Sequence, residues 1–179
     1  TVPSLCKSCL QGALYRHIKR IMTDLYFTKM HGLGNDFVVL DARRTDFSID
    51  NKLIKHIANR REGIGCDQVL VIEDAQENSA DIFMRIFNSD GGEVDACGNG
   101  TRCVASLLMS EIETQKIAIQ TNAGILYCMT NNNGFISVDI GPANLGWKDI
   151  PLATELDTLN LDFSVGVLSN PVMVNVGNP

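Results

Sequence analysis

From Leu25 onward the apolar residues come in short runs, and each run is closed by Gly, Asn or Asp. Val38-Val39-Leu40 is one such run, Val69-Leu70-Val71-Ile72 another, and Ile82-Phe83-Met84 a third. Runs of this length suit strands buried in a sheet. They fall far short of the stretch needed to cross a bilayer as a helix. Only two segments carry helical spacing. Leu53, Ile54, Ile57 and Ala58 form one apolar face, with Ser48 or Asp50 as cap and an end near Arg61. Cys103, Val104, Leu107, Leu108 and Glu111 trace a second, broader one that begins just after Cys97. A chain of many short strands and two helices is an α+β fold.

The pattern predicts strands at Leu25–His31 and Asp36–Asp41 around Gly32-Leu33-Gly34-Asn35, then at Gln68–Ile72 and Asp81–Phe87. Asp90-Gly91 marks a tight turn. Further strands are expected near Lys116–Thr121, Ile125–Met129 and Phe135–Ile140, with Asn133-Gly134 closing a hairpin. Beyond Gly141-Pro142 the chain is less patterned, and strands are expected at Val165–Leu168 and Val172–Val176. The expected division is an N-terminal extension over 1–21, one half over 22–143, and the start of a second half over 144–179.

Both ends look unusual. Residues 1–21 are basic through Arg16, His17, Lys19 and Arg20, whereas the chain as a whole has net charge −6. They lack the apolar stretch and small-residue cleavage site of a signal peptide. Either they are an extension ahead of Met22, or Leu10, Leu14, Ile18 and Ile21 form one side of a packed helix. At the other end, the chain stops within the turn-like Gly177-Asn178-Pro179, which suggests truncation.

Charge and cysteine use narrow the function. An acidic chain offers no electrostatic attraction to nucleic acid or an anionic membrane. Six dispersed cysteines form no disulfide framework and fit a reducing cytoplasm. Cys6 and Cys9 make a C-x-x-C with no second Cys or His pair beside it, so two incidental thiols are expected there and no metal site.

The segment Asp95-Ala96-Cys97-Gly98-Asn99-Gly100-Thr101-Arg102-Cys103 carries the chemistry. Its glycines permit close backbone approach to a ligand and precede a helix. Free N–H groups at a helix start can hold a carboxylate and favour a thiolate over a thiol. That suits Cys97 to general acid–base work. On the residues alone Cys97 reads equally well as a small buried apolar group. Asn35, Gln68 and Asn88 sit beside strands, where such residues commonly satisfy local backbone. Their amides could also recognise an amino acid's ammonium and carboxylate. Neither phosphate-loop nor dinucleotide-loop patterns occur.

Four blocks in order give a more specific reading. Phe27-Thr28-Lys29-Met30-His31-Gly32-Leu33-Gly34-Asn35-Asp36-Phe37 comes first, and Gly63-Ile64-Gly65-Cys66-Asp67-Gln68 second. Arg85-Ile86-Phe87-Asn88-Ser89-Asp90-Gly91 and Ala96–Cys103 follow. Together they resemble the diaminopimelate epimerase family, from about Leu25 to the end. The resemblance implies two pseudo-symmetric halves, each a curled mixed sheet around a central helix, with the site between them. It implies that Asn35, Gln68, Asn88, Gly98, Asn99 and Asn178 contact the substrate. Cys97 would be one of two cysteines exchanging a proton at Cα, the second lying beyond Pro179. The reaction implied interconverts LL- and meso-diaminopimelate, for lysine and peptidoglycan precursor synthesis, with no cofactor.

A small-molecule substrate is the partner expected, and a homodimer is left open. Two alternatives stand beside this reading. One is a related racemase or isomerase of the same superfamily, acting on proline or in phenazine synthesis. The other is a half-enzyme that binds a ligand without turnover. Residues 1–179 alone are expected to be inactive.

Overall fold

A computed structural model describes residues 15–20, 23–43, 48–150 and 152–177. The chain divides into two compact units, Thr1–Asp139 and Ile140–Pro179.

The first unit is built on one mixed sheet. Its strands are β1 (Tyr15–Arg20), β2 (Thr23–Gly32), β3 (Asn35–Asp41), β4 (Gln68–Asp74), β5 (Ile82–Asn88), β6 (Glu93–Val94), β7 (Lys116–Thr121), β8 (Gly124–Thr130) and β9 (Ile136–Asp139). They pair in the order β1-β2-β3-β4-β5-β7-β8-β9, with β6 on β5. Most neighbours are antiparallel, but β3–β4 and β5–β7 are parallel. Each parallel step is a crossover carrying a helix, as parallel neighbours require. Helix α1 (Asn51–Ala58) makes the first and α2 (Gly98–Glu111) the second.

The two helices lie on opposite faces. Ile54 and Ile57 of α1 pack with Val38, Leu40, Val69 and Val71. Cys103, Val104 and Leu108 of α2 pack with Phe37, Val39, Leu70, Ile72, Met84 and Ile119. Central strands covered on both sides have no solvent face, which is why β3 and β4 read as unbroken apolar runs. Helix α2 touches β2 and β3 as well as β7, β8 and β9, strands far apart in the sheet order. The sheet therefore curls around α2, as the family resemblance implied. Val104 and Leu108 are fully buried, while Leu107 is only half-buried.

Several expectations need correction. Asp50, rather than Ser48, caps α1 by accepting from the Leu53 N–H at 2.7 Å, and α1 ends at Ala58. Tyr15–Arg20 is a strand antiparallel to β2, so a helix does not run through these residues. The remainder of 1–14, with Cys6, Cys9, Leu10 and Leu14, lies outside the described residues, as does Ile21.

The second unit carries a small hairpin of β10 (Ser164–Val165) and β11 (Leu168–Ser169). The expected strand over Val165–Leu168 is thus a turn, because Gly166 adopts φ +61°. In place of a strand over Val172–Val176 there is one bridge, Asn144 to Asn175. These segments are largely exposed and lack the two-sided cover that makes β3 and β4 legible.

Candidate active site

Strand alternation gathers the polar residues. Phe37 and Val39 face α2, so Asn35 at the start of β3 shares that face by the period of two. Leu70 and Ile72 place Gln68, at the start of β4, on the same face. Met84 and Ile86 do the same for Asn88, the last residue of β5. β3 and β4 are parallel, β5 is antiparallel to β4, and Gln68 stands directly opposite Asn88. All three amides therefore lie on one face and at one end of the sheet.

The start of α2 comes to the same end. Cys97 is its N-cap, with extended backbone, and its Sγ accepts from the Gly100 N–H at 3.4 Å. The Cys97 carbonyl accepts from both the N–H and the hydroxyl of Thr101, at 2.8 and 2.9 Å. The first N–H groups of a helix have no intrahelical acceptor. The N–H groups of Gly100 and Thr101 are engaged in this way, and those of Gly98 and Asn99 find no acceptor among the described residues. A Cβ on Gly98 would meet nothing within 4 Å, so packing inside the described chain does not demand glycine there. At Gly32 a Cβ would press on Asn99, and at Gly100 it would reach Leu70 at 3.1 Å, so these two glycines let α2 sit close to the sheet.

Cys97 is buried, 8% exposed, and its thiol donates to Asn35 Oδ1 across 3.9 Å. Gln68 Nε2 donates to Asn88 Oδ1 at 2.9 Å. Gln68 Oε1 is buried and, among the described residues, has no hydrogen-bond partner. Such an acceptor is costly unless something donates to it. Asn99 Oδ1 accepts from the Arg102 guanidinium. The structure thus brings Cys97, Asn35, Gln68, Asn88, Gly98 and Asn99 to one end of the sheet, and Asn178 lies outside the described residues. Of the other thiols, burial pushes Cys66 up to about 11 and Cys128 up to about 12, which keeps both protonated and unreactive near neutrality. Cys103 is fully buried in the core.

Sequence reasoning missed a charged cluster beside this end. Asp36 is held by Lys29 at 2.6 Å and by Arg60 at 2.7 Å, and Arg60 also reaches Asp67 at 2.8 Å. Partial burial alone would raise the Asp36 pKa. Hydrogen bonds from Arg60 and Lys29, with the Lys29 charge, reverse this and hold it far below the carboxylate range. A cleft of about 450 Å³ opens here, lined by Lys29, His31, Gly34, Asp36, Arg60 and Asp67. Lys29, Arg60, Asp36 and Asp67 already neutralise one another, whereas on the Cys97 side Gln68 Oε1 has no partner among the described residues.

Among solved structures, the chain is similar to a hydroxyproline epimerase from Agrobacterium vitis with bound trans-4-OH-L-proline, at TM-score 0.54 and 14% identity. That likeness covers 70% of this chain and 44% of the other. It is similar also to a methylitaconate-delta-isomerase, at TM-score 0.50 and 17% identity over 63% of this chain and 62% of the other. The fold is thus the curled-sheet half shared by these proteins. The profile of the diaminopimelate epimerase family matches residues 27–146, and the chain belongs to that family. Diaminopimelate epimerases of Rhodospirillum centenum and Acidiphilium cryptum are 47% and 48% identical to it over 86% of its length. The alignment covers 53% and 54% of these relatives, so the chain spans about half their length.

Proposed function

We propose that this chain supplies one half of a cofactor-free epimerase acting on diaminopimelate, with Cys97 as acid and base on one face of the substrate Cα. The observation that carries the reading is the convergence of the α2 N-cap thiol with three strand-end amides, on one face and at one end of the sheet. Its support from kinship is membership of the family and close identity to relatives named as diaminopimelate epimerases.

The chemistry follows from the donors available. The Cys97 thiolate takes the Cα proton, and the electron pair left behind spreads into the adjacent carboxylate. The N–H groups of Gly98 and Asn99, at the positive end of α2, stabilise that charge as it grows. Gln68 Oε1 offers an acceptor to the substrate ammonium. A second acid, supplied from outside residues 1–179, returns a proton to the opposite face. A thiol suits that role, because in a reversible reaction the two groups exchange protonation states between directions.

The test is epimerisation of LL-diaminopimelate by the full-length protein and by Cys97→Ala. We expect the variant to lose about 10³-fold or more, the size of a missing general base. Turnover by Cys97→Ala at the parental rate would remove this thiol from the reaction. Proline assayed in parallel separates the related racemases, and ligand binding without turnover in the parent would favour a binding half.

A further inference from the structure

We infer that Asp67 is a positioning residue that fixes which end of the Asn35 amide faces Cys97. Asn35 lies between two groups. Its Nδ2 donates to Asp67 Oδ2 at 3.1 Å, and its Oδ1 accepts from the Cys97 thiol. An amide's two ends are similar in shape, so packing alone leaves its orientation open. An ionised carboxylate, however, only accepts. Whichever end of Asn35 meets Asp67 must be the NH₂, and the oxygen is then directed to the sulfur.

The rest of the cluster keeps Asp67 in place for this task. Arg60 holds its Oδ1 at 2.8 Å, which leaves Oδ2 to Asn35 and to the backbone N–H of Asp36 at 3.0 Å. The Asp67 N–H donates to Asp36 Oδ1 at 2.9 Å, and Lys29 and Arg60 clamp Asp36 in turn. The charged cleft and the Cys97 side are thus joined through one amide. The consequence is chemical. An oxygen directed at the sulfur favours the thiol, whereas an NH₂ there would favour the thiolate. In this arrangement the Asn35 oxygen occupies the place beside the sulfur that the NH₂ would take if the amide turned.

This inference rests on the acid–base role of Cys97, but its readout does not need turnover. The test measures the alkylation rate of Cys97 by iodoacetamide at neutral pH, read by peptide mass spectrometry, in the full-length protein. The variants are Asp67→Asn, Asn35→Leu and the double variant. Asp67→Asn lets the amide turn, so the rate rises several-fold, since the thiolate is the nucleophile. Removing a nearby negative charge also favours thiolate, and the Asn35→Leu background subtracts that effect. The increase should be clearly larger with Asn35 present than without it. No increase, or an equal increase in both backgrounds, overturns the inference. Should Asp67→Asn fail to fold, judged by alkylation of the buried Cys103 and Cys128, Arg60→Gln replaces it. That change loosens the carboxylate without deleting it, and the same dependence on Asn35 is required at smaller size. Loss of epimerisation in Cys97→Ala together with an absent coupling would sink this inference and leave the proposed function standing.

Discussion

Asp36 is one place where pH should be felt in the fold. Its carboxyl is held below the ordinary range by Arg60 and Lys29 against the cost of partial burial. A carboxylate depressed in the folded state stabilises above its unfolded pKa, and that stability is lost as pH falls toward its folded value. The ordinary aspartate value is about 3.9, so the loss begins below about pH 5 and deepens with further acidification. Asp36→Asn should be less stable than the parent at neutral pH and should lose less on acidification. Urea midpoints at several pH values for both proteins check this. Parallel curves would assign the acid sensitivity elsewhere. Two further ion-pair networks lie away from the site. Arg43 bridges Asp41 and Glu111, and Arg85 bridges Glu93 and Glu73.

The hairpin joining β2 and β3 shows how an element sets a residue. Its two turn residues, Leu33 and Gly34, have φ of 54° and 91°. A two-residue turn with both φ positive matches the twist of its strands, and Gly34 takes that conformation freely. Leu33 does not, and it is also 92% exposed. Leu33→Asn should therefore stabilise the protein by about 1 kcal/mol, the order of the left-handed penalty for an ordinary residue. The denaturant midpoint of the variant against the parent measures it. A lower midpoint would mean that the exposed leucine is held by contacts absent from this chain. The turn also sets register: Gly32 pairs with Asn35 and Met30 with Phe37. One residue of slip would turn Asn35 away from Cys97.

Much of this was legible from apolar runs and turn residues, for β2, β3, β4, β5, β7, β8, β9 and both helices. Other elements were not. β6 is two residues long and has no run to read. Gly166 turned an apparent strand into a hairpin tip. The site residues were named from local blocks, but their common face depends on parallel pairing of β3 with β4, which local pattern does not encode. Asp36 meets Arg60 across 24 residues and Asp67 across 31, so no spacing rule could have joined them.

The whole molecule raises the question of what residues 1–179 can do alone. The first unit has a continuous core on both faces of β3 and β4. In the second, Phe163, Val165, Val167, Leu168 and Val172 are all exposed, and among its described residues only Ile150 and Thr158 are buried. Exposed apolar surface of this kind is usually covered in the working protein. The proposed chemistry makes the same demand, since inversion by way of a Cys97 thiolate would need a proton donor on the opposite face of Cα. Among the described residues the other thiols are Cys66, Cys103 and Cys128, all buried: Cys66 lies just before β4 at this end of the sheet but packs on the α1 face, and Cys103 and Cys128 sit in the core around α2. On the proposed reading the other wall of the site comes from outside residues 1–179, and a site open to water weakens hydrogen bonds to a developing charge. Incubation of residues 1–179 with LL-diaminopimelate in D₂O should therefore give no meso isomer. At most, Cys97 would return deuterium to the face from which it took the proton, as slow exchange with retained configuration. Following deuterium uptake by mass spectrometry and stereochemistry by chiral chromatography separates the two outcomes. Meso product at a rate near that of the full-length protein would show that one thiol and water, or a second copy of this chain, suffice for inversion.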